Sequence, residues 1–230
     1  MALAKLRLKF ARVFYQRCFY LFVSMIALIV IAPFAADFER GSLIVQVGQV
    51  LVLLAAVAAV GRTAMPFVIA LLLGSPPVLL QLAVLLGLDD SANVATLTNA
   101  FYLAFYVMAI LYLLRYVFSP EVMTDDKLFG AAAAYLMLGI GWAFAYNLVQ
   151  SLNPDGFRSA PGAPPRAFFD LLYMSFGVLS SNGTGDVAIV GSRVKSLVIL
   201  EQVAGVLYVA ILIARLAGIY PPKQEKAEAP

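Results

Sequence analysis

The chain has 230 residues, 63% hydrophobic and 13% charged, with no histidine and a formal net charge of +3. Soluble domains use only about 45–50% apolar residues, so a water-soluble globule is excluded and lipid must solvate most of the surface. The single cysteine, Cys18, rules out an intrachain disulfide, and without histidine an ion can be met only by carboxylates, hydroxyls and backbone carbonyls, which favours hard cations over zinc or copper.

Lys5, Arg7, Lys9, Arg12 and Arg17 precede a first apolar run, Cys18–Phe34. That run exceeds the 7–15-residue core of a signal peptide and lacks a small-x-small cleavage site, so an anchored helix is expected. Crossing the hydrocarbon takes about 20 apolar residues. On that measure the predicted spans are Cys18–Phe34, Leu43–Val60, Ala64–Leu88, Val94–Phe118, Leu128–Leu152 and Ser192–Ile219. The third contains Gly74-Ser75-Pro76-Pro77, where lost backbone donors and steric clash predict a kink. The fourth carries a single basic residue, Arg115 at its end, which suits an interface anchor better than a voltage sensor.

If the N-terminus is cytoplasmic, eleven of the 16 Lys and Arg fall on that side. The bias toward the inside predicts that both termini are cytoplasmic in a multi-pass protein of the cell membrane. Alanine-rich spans with short loops suggest the bacterial inner membrane.

A charged break, Ser119–Lys127, divides the chain into a four-helix part, residues 1–126, and a second part, 127–220, followed by a short cytoplasmic tail, 221–230. After the fifth span comes a loop rich in Pro, Gly and Ser, Asn153–Arg166, and then a short apolar stretch, Ala167–Leu179. That stretch cannot cross the bilayer and is expected to be re-entrant, started by Pro164-Pro165. Its C-terminal end would direct the negative end of a helix dipole into the membrane, where it favours a cation. The chain must then return in extended form, which survives at that depth only against protein or water. Gly183 and Gly185 permit the backbone angles that aim successive carbonyls one way.

Ser181-Asn182-Gly183-Thr184-Gly185-Asp186 resembles the T-V-G-Y-G-D filter of potassium channels, with Gly183, Gly185 and Asp186 matching. Tyr173-Met174-Ser175-Phe176, Ser196 to Glu201, and Leu207 to Leu216 resemble bacterial members of that family. The resemblance covers about Lys127–Tyr220, and the first four spans carry no diagnostic motif.

The resemblance implies an all-α membrane protein of six transmembrane helices, with a pore helix and filter loop between the fifth and sixth. It implies a homotetramer around a central pore, lipid as surroundings, and no enzymatic activity, cofactor or nucleic-acid partner. Potassium or sodium ions would be met by Ser181, Asn182, Gly183 and Thr184. Asp186 would form a carboxylate ring at the outer mouth, near Arg193 and Lys195, which can pair with Asp170 and Asp155. Gly205 would be an inner-helix hinge, although close packing needs the same missing side chain. Val206, Val209 and Ile213 share a face and would line the pore, unless that face serves ordinary helix packing.

Glu201 is the one carboxylate inside a span, roughly 13 Å from the helix start at about 1.5 Å per residue. It is expected behind the filter, bonded to Ser180, Ser181 or Asn182, the alternative being an inter-helix hydrogen bond without a role in permeation. Asn182 and Thr184 replace the valine and tyrosine that buttress the family's filter. A looser filter with fewer carbonyl sites discriminates less between potassium and sodium. The expected function is therefore a cation channel of altered selectivity, the alternative being a non-conducting or regulatory channel-like subunit. A carrier would need charges inside the first four helices, and between Leu43 and Leu88 only Arg62 occurs, in a loop.

Overall fold

Seven α-helices, with no strand among the described residues, build the chain in a computed structural model that describes residues 17–35, 41–60, 64–88, 91–120, 123–153, 156–157 and 167–219. They are α1 Arg17–Ala35, α2 Gly41–Val60, α3 Ala64–Leu85, α4 Ala92–Val117, α5 Asp125–Leu152, α6 Phe168–Leu179 and α7 Ser192–Ile219. Helices α1, α3, α4, α5 and α7 are long and apolar enough to cross a bilayer, while α2 offers a shorter apolar stretch, Leu43–Ala59. The chain is an all-helical, multi-pass membrane protein, and a count of six spans rests on including α2. With 12 residues, α6 is about 18 Å long and does not cross.

Local chemistry moves the helix ends by a few residues from the apolar runs. α5 starts at Asp125 because the Thr124 hydroxyl accepts the Lys127 N–H at 3.3 Å, with Asp125 and Asp126 complementing the helix dipole. α3 stops at Leu85 because Gly87, at φ +69°, turns the chain so that Leu88 N bonds Ala83 O and Gly87 N bonds Val84 O. Through Pro76 and Pro77 the same helix continues without interruption.

α5 is the central element, touching α1, α4, α6 and α7. Its buried positions are mostly small, among them Gly130, Ala131, Ala133, Ala134, Gly139 and Ala143, as expected where helices approach closely in lipid. A Cβ on Gly130 would lie 3.2 Å from Val117 and 3.3 Å from Cys18, so α1 and α4 close in there. On the opposite side a Cβ on Gly139 would lie 2.6 Å from the Phe176 ring, which brings in α6.

Polar bonds knit the end of the bundle where α1 begins and α7 ends. Asp126 accepts from the Cys18 backbone at 3.0 Å and from the Tyr116 hydroxyl at 2.7 Å. The Lys127 ammonium, 1% exposed, donates to Ser119 Oγ at 2.8 Å, and Arg215 donates to the Ser119 carbonyl. The first turn of α5 thus holds α1, and the connection between α4 and α5 holds the far end of α7.

The opposite end is closed by a small strap. Phe157 bridges Ile189, and the N–H groups of Val190 and Gly191 both donate to Gly156 O at 3.1 Å. Phe157 packs with Tyr146, Leu171, Met174, Val178, Val187 and Val194 in a second core beneath the loop that follows α6. The N-terminal basic residues Lys5 to Arg12, the Pro164-Pro165 start, Asp155, Arg158, Arg166 and the tail 221–230 lie outside the described residues.

Candidate ion-conduction site

The site grows from the end of α6. Its last turn closes with Asn182 N donating to Gly177 O at 2.7 Å and Ser181 N donating to Val178 O at 2.9 Å. This six-to-one and five-to-two pair is the helix stop that normally places glycine in the left-handed conformation. Here the left-handed residue is Ser181, at φ +62°, the single non-glycine with positive φ among the described residues.

Positive φ then recurs at every second residue: +62° at Ser181, +103° at Gly183 and +62° at Gly185. Alternation of this kind turns successive N–H groups the same way. The N–H groups of Asn182 and Gly183 both converge on Gly177 O, at 2.7 and 3.2 Å. A trans peptide carries its carbonyl opposite its N–H, so the carbonyls of Ser181 and Asn182 point away from α6 as a pair. Gly183 breaks the series. Its carbonyl faces Gly177, where a Cβ would come within 2.5 Å of the oxygen.

The Asn182 amide takes up a local bond, its Nδ2 donating to Ser180 Oγ at 2.9 Å. Ser180 in turn donates back into α6, to Phe176 O at 2.6 Å. Behind the loop lies a cavity of about 280 Å³ lined by Tyr173, Phe176, Gly177, Ser180, Asn182, Gly183 and Gly185. The Tyr173 ring presses on Gly185, within 2.7 Å of where a Cβ would sit. An aromatic ring from α6 therefore supports the loop where Thr184 supplies none.

Glu201 is fully buried, but its partners differ from those expected. It accepts from the Ser175 hydroxyl and from the Tyr146 hydroxyl, each at 2.5 Å. Ser175 also lies 2.7 Å from Gly139 O. The reason is geometric. Ser180 spends its hydroxyl on its own helix and, with Ser181 and Asn182, sits on an exposed surface, whereas Ser175 points inward toward α7. Glu201 thus joins α5, α6 and α7 behind the re-entrant helix, one turn short of the loop.

Residues 128–220 match a family model described as "Ion channel". The match begins near the start of α5 and takes in α6, the loop and all of α7. It supports an ion channel. No curated protein and no solved structure matches the chain.

Within the matched stretch, α7 buries Glu201, Gly205 and Tyr208 against the rest of the chain. Tyr208 donates to Ala131 O at 2.5 Å. Gly205 abuts the carbonyl of Leu179 so closely that a Cβ has no room. Val206, Val209 and Ile213 are 54%, 43% and 60% exposed, on a face that nothing among the described residues covers. Asp186 is exposed at the outer end of the loop and, among the described residues, forms no ion pair with Arg193 or Lys195.

Sequence reasoning missed Tyr146, Ser175 and Gly177. Ser175 carries the one usable signal, a hydroxyl in mid-course of an otherwise apolar re-entrant helix.

Proposed function

We propose that the chain forms a homotetrameric cation channel of the potassium-channel type, passing potassium and sodium with weakened discrimination between them. The observation that carries this reading is the alternating backbone of residues 181–185, which turns the Ser181 and Asn182 carbonyls away from α6 together. One such loop cannot enclose an ion, and four around a cyclic axis do. Asp186 then rings the outer mouth and draws in cations. Val206, Val209 and Ile213 line an apolar vestibule that gates by dewetting. The basic-residue bias puts both termini in the cytoplasm of the cell membrane.

Weak selectivity follows from ligand number. The Gly183 carbonyl, turned to Gly177, leaves a shorter column of oxygens than a fully aligned loop supplies. The same turned carbonyl favours a second reading, a subunit whose filter does not conduct.

Recording the purified full-length protein in planar bilayers, with potassium on one side and sodium on the other, separates the two. Unitary currents reversing near zero support the weakly selective pore. A reversal displaced strongly toward potassium refutes the weakened discrimination, and silence from an intact tetramer supports the non-conducting subunit.

A further inference from the structure

Asn182 and Gln202 are both exposed and both carry carboxamides, on a membrane protein whose lipid offers no hydrogen bond. Gln202 belongs to the stripe Gln202, Val206, Val209, Ile213, spaced i, i+4, i+7, i+11 along one face of α7. Two contacts fix its height. Glu201 bonds Ser175, and Gly205 touches the Leu179 carbonyl, so Gln202 stands level with the last turn of α6. Lower on α7 the stripe faces the proposed vestibule. At the level of Gln202 the space near the axis is taken by filter loops, so a side chain there meets a loop.

It does not meet its own. Among the described residues Gln202 has no hydrogen-bond partner, and Asn182 uses only one N–H, toward Ser180 Oγ. The carboxamide oxygen and second N–H of Asn182 remain, a donor and an acceptor side by side at the edge of the cavity behind the filter. A second carboxamide complements that pair with two bonds.

We propose that Gln202 of each subunit enters the cavity behind the neighbouring subunit's filter and pairs amide to amide with Asn182 there. The proposal rests on the tetrameric reading given above. Rotation about an axis along the membrane normal leaves depth unchanged, so only groups at similar depth can pair between subunits; Asn182 N bonds Gly177 O and Gln202 follows Glu201, which bonds Ser175, so both stand beside the C-terminal half of α6. The filter's back wall is then incomplete in any one chain. The amide that stands in place of an apolar buttress is satisfied across the interface.

The test uses the full-length protein with Cys18→Ser and the pair Asn182→Cys and Gln202→Cys, treated in detergent with a short thiol-reactive bifunctional linker after its mass is measured by light scattering. A tetrameric mass with covalent dimers, trimers and tetramers on a denaturing gel is the expected result. A tetrameric mass with only single chains on the gel overturns the pairing and leaves the pore reading standing. A monomeric mass overturns both. A second probe leaves the filter unaltered: benzoylphenylalanine at position 202, activated by light. Attachment to residues 173–186 of another chain supports the pairing, and attachment elsewhere overturns it.

Discussion

The backbone oxygen of Leu179, in the last turn of α6, occupies the space that a Cβ on residue 205 would need. Both partners in that contact are backbone, so no rotamer relieves a clash and the inner helix must move away from α6. Gly205→Ala is therefore expected to lower the stability of the assembly by about 1–3 kcal/mol, the range for overpacking a fitted contact. Thermal disassembly in detergent measures it. A pure hinge role predicts an unchanged melting temperature with altered open probability, and that result would remove the packing role.

Glu201 holds three helices through two hydroxyls, and its removal strands that of Tyr146. Glu201→Leu leaves the Tyr146 hydroxyl buried without its acceptor, at about 1–3 kcal/mol, while Ser175 falls back on Gly139 O. Glu201→Gln keeps a carbonyl for Tyr146 and gives Ser175 a donor, leaving its hydroxyl free to donate to Gly139 O. The glutamine variant should retain most of the stability that the leucine variant loses. Equal melting temperatures for the two would show that the network does not hold the helices together.

The helices were readable from the sequence because apolar run length is set by the bilayer itself. Their exact ends were not, since Thr124 and Gly87 act through single hydrogen bonds and one backbone angle. The loop was readable from its glycines and Asp186, which carry local backbone requirements. The partners of Glu201 were not, because Tyr146 and Ser175 lie 55 and 26 residues away. Only the packing of α5, α6 and α7 decides which hydroxyls meet the carboxylate. The local pull of α6 on the Ser180 hydroxyl likewise removed a partner that a place behind the filter had suggested.

Ser181 carries strain that a glycine would relieve. A left-handed non-glycine residue costs roughly 1–2 kcal/mol. Ser181→Gly and Ser181→Ala both remove the hydroxyl of a residue expected to meet the ion, so both should lower unitary conductance. They should part in stability, with the glycine variant higher by about 1 kcal/mol. Matching melting temperatures would mean that the left-handed turn is not maintained in the assembled protein.

Gly177 and Gly183 form the contact that decides how many oxygens face the ion path. The Gly183 carbonyl can turn toward α6 only because position 177 has no Cβ, which would stand 2.5 Å from its oxygen. Gly177→Ala pushes that carbonyl away from the helix, to the side already taken by the carbonyls of Ser181 and Asn182. A longer column of oxygen ligands favours potassium over sodium by fit and by field strength alike. The permeability ratio should shift toward potassium by roughly threefold to tenfold, equivalent to about 0.7–1.4 kcal/mol. Bi-ionic reversal potentials of the variant and the parent read this directly. An unchanged reversal potential in a conducting variant would mean that the Gly183 carbonyl does not depend on Gly177. Currents gained in the variant where the parent is silent would instead identify the turned carbonyl as what keeps the parent filter shut.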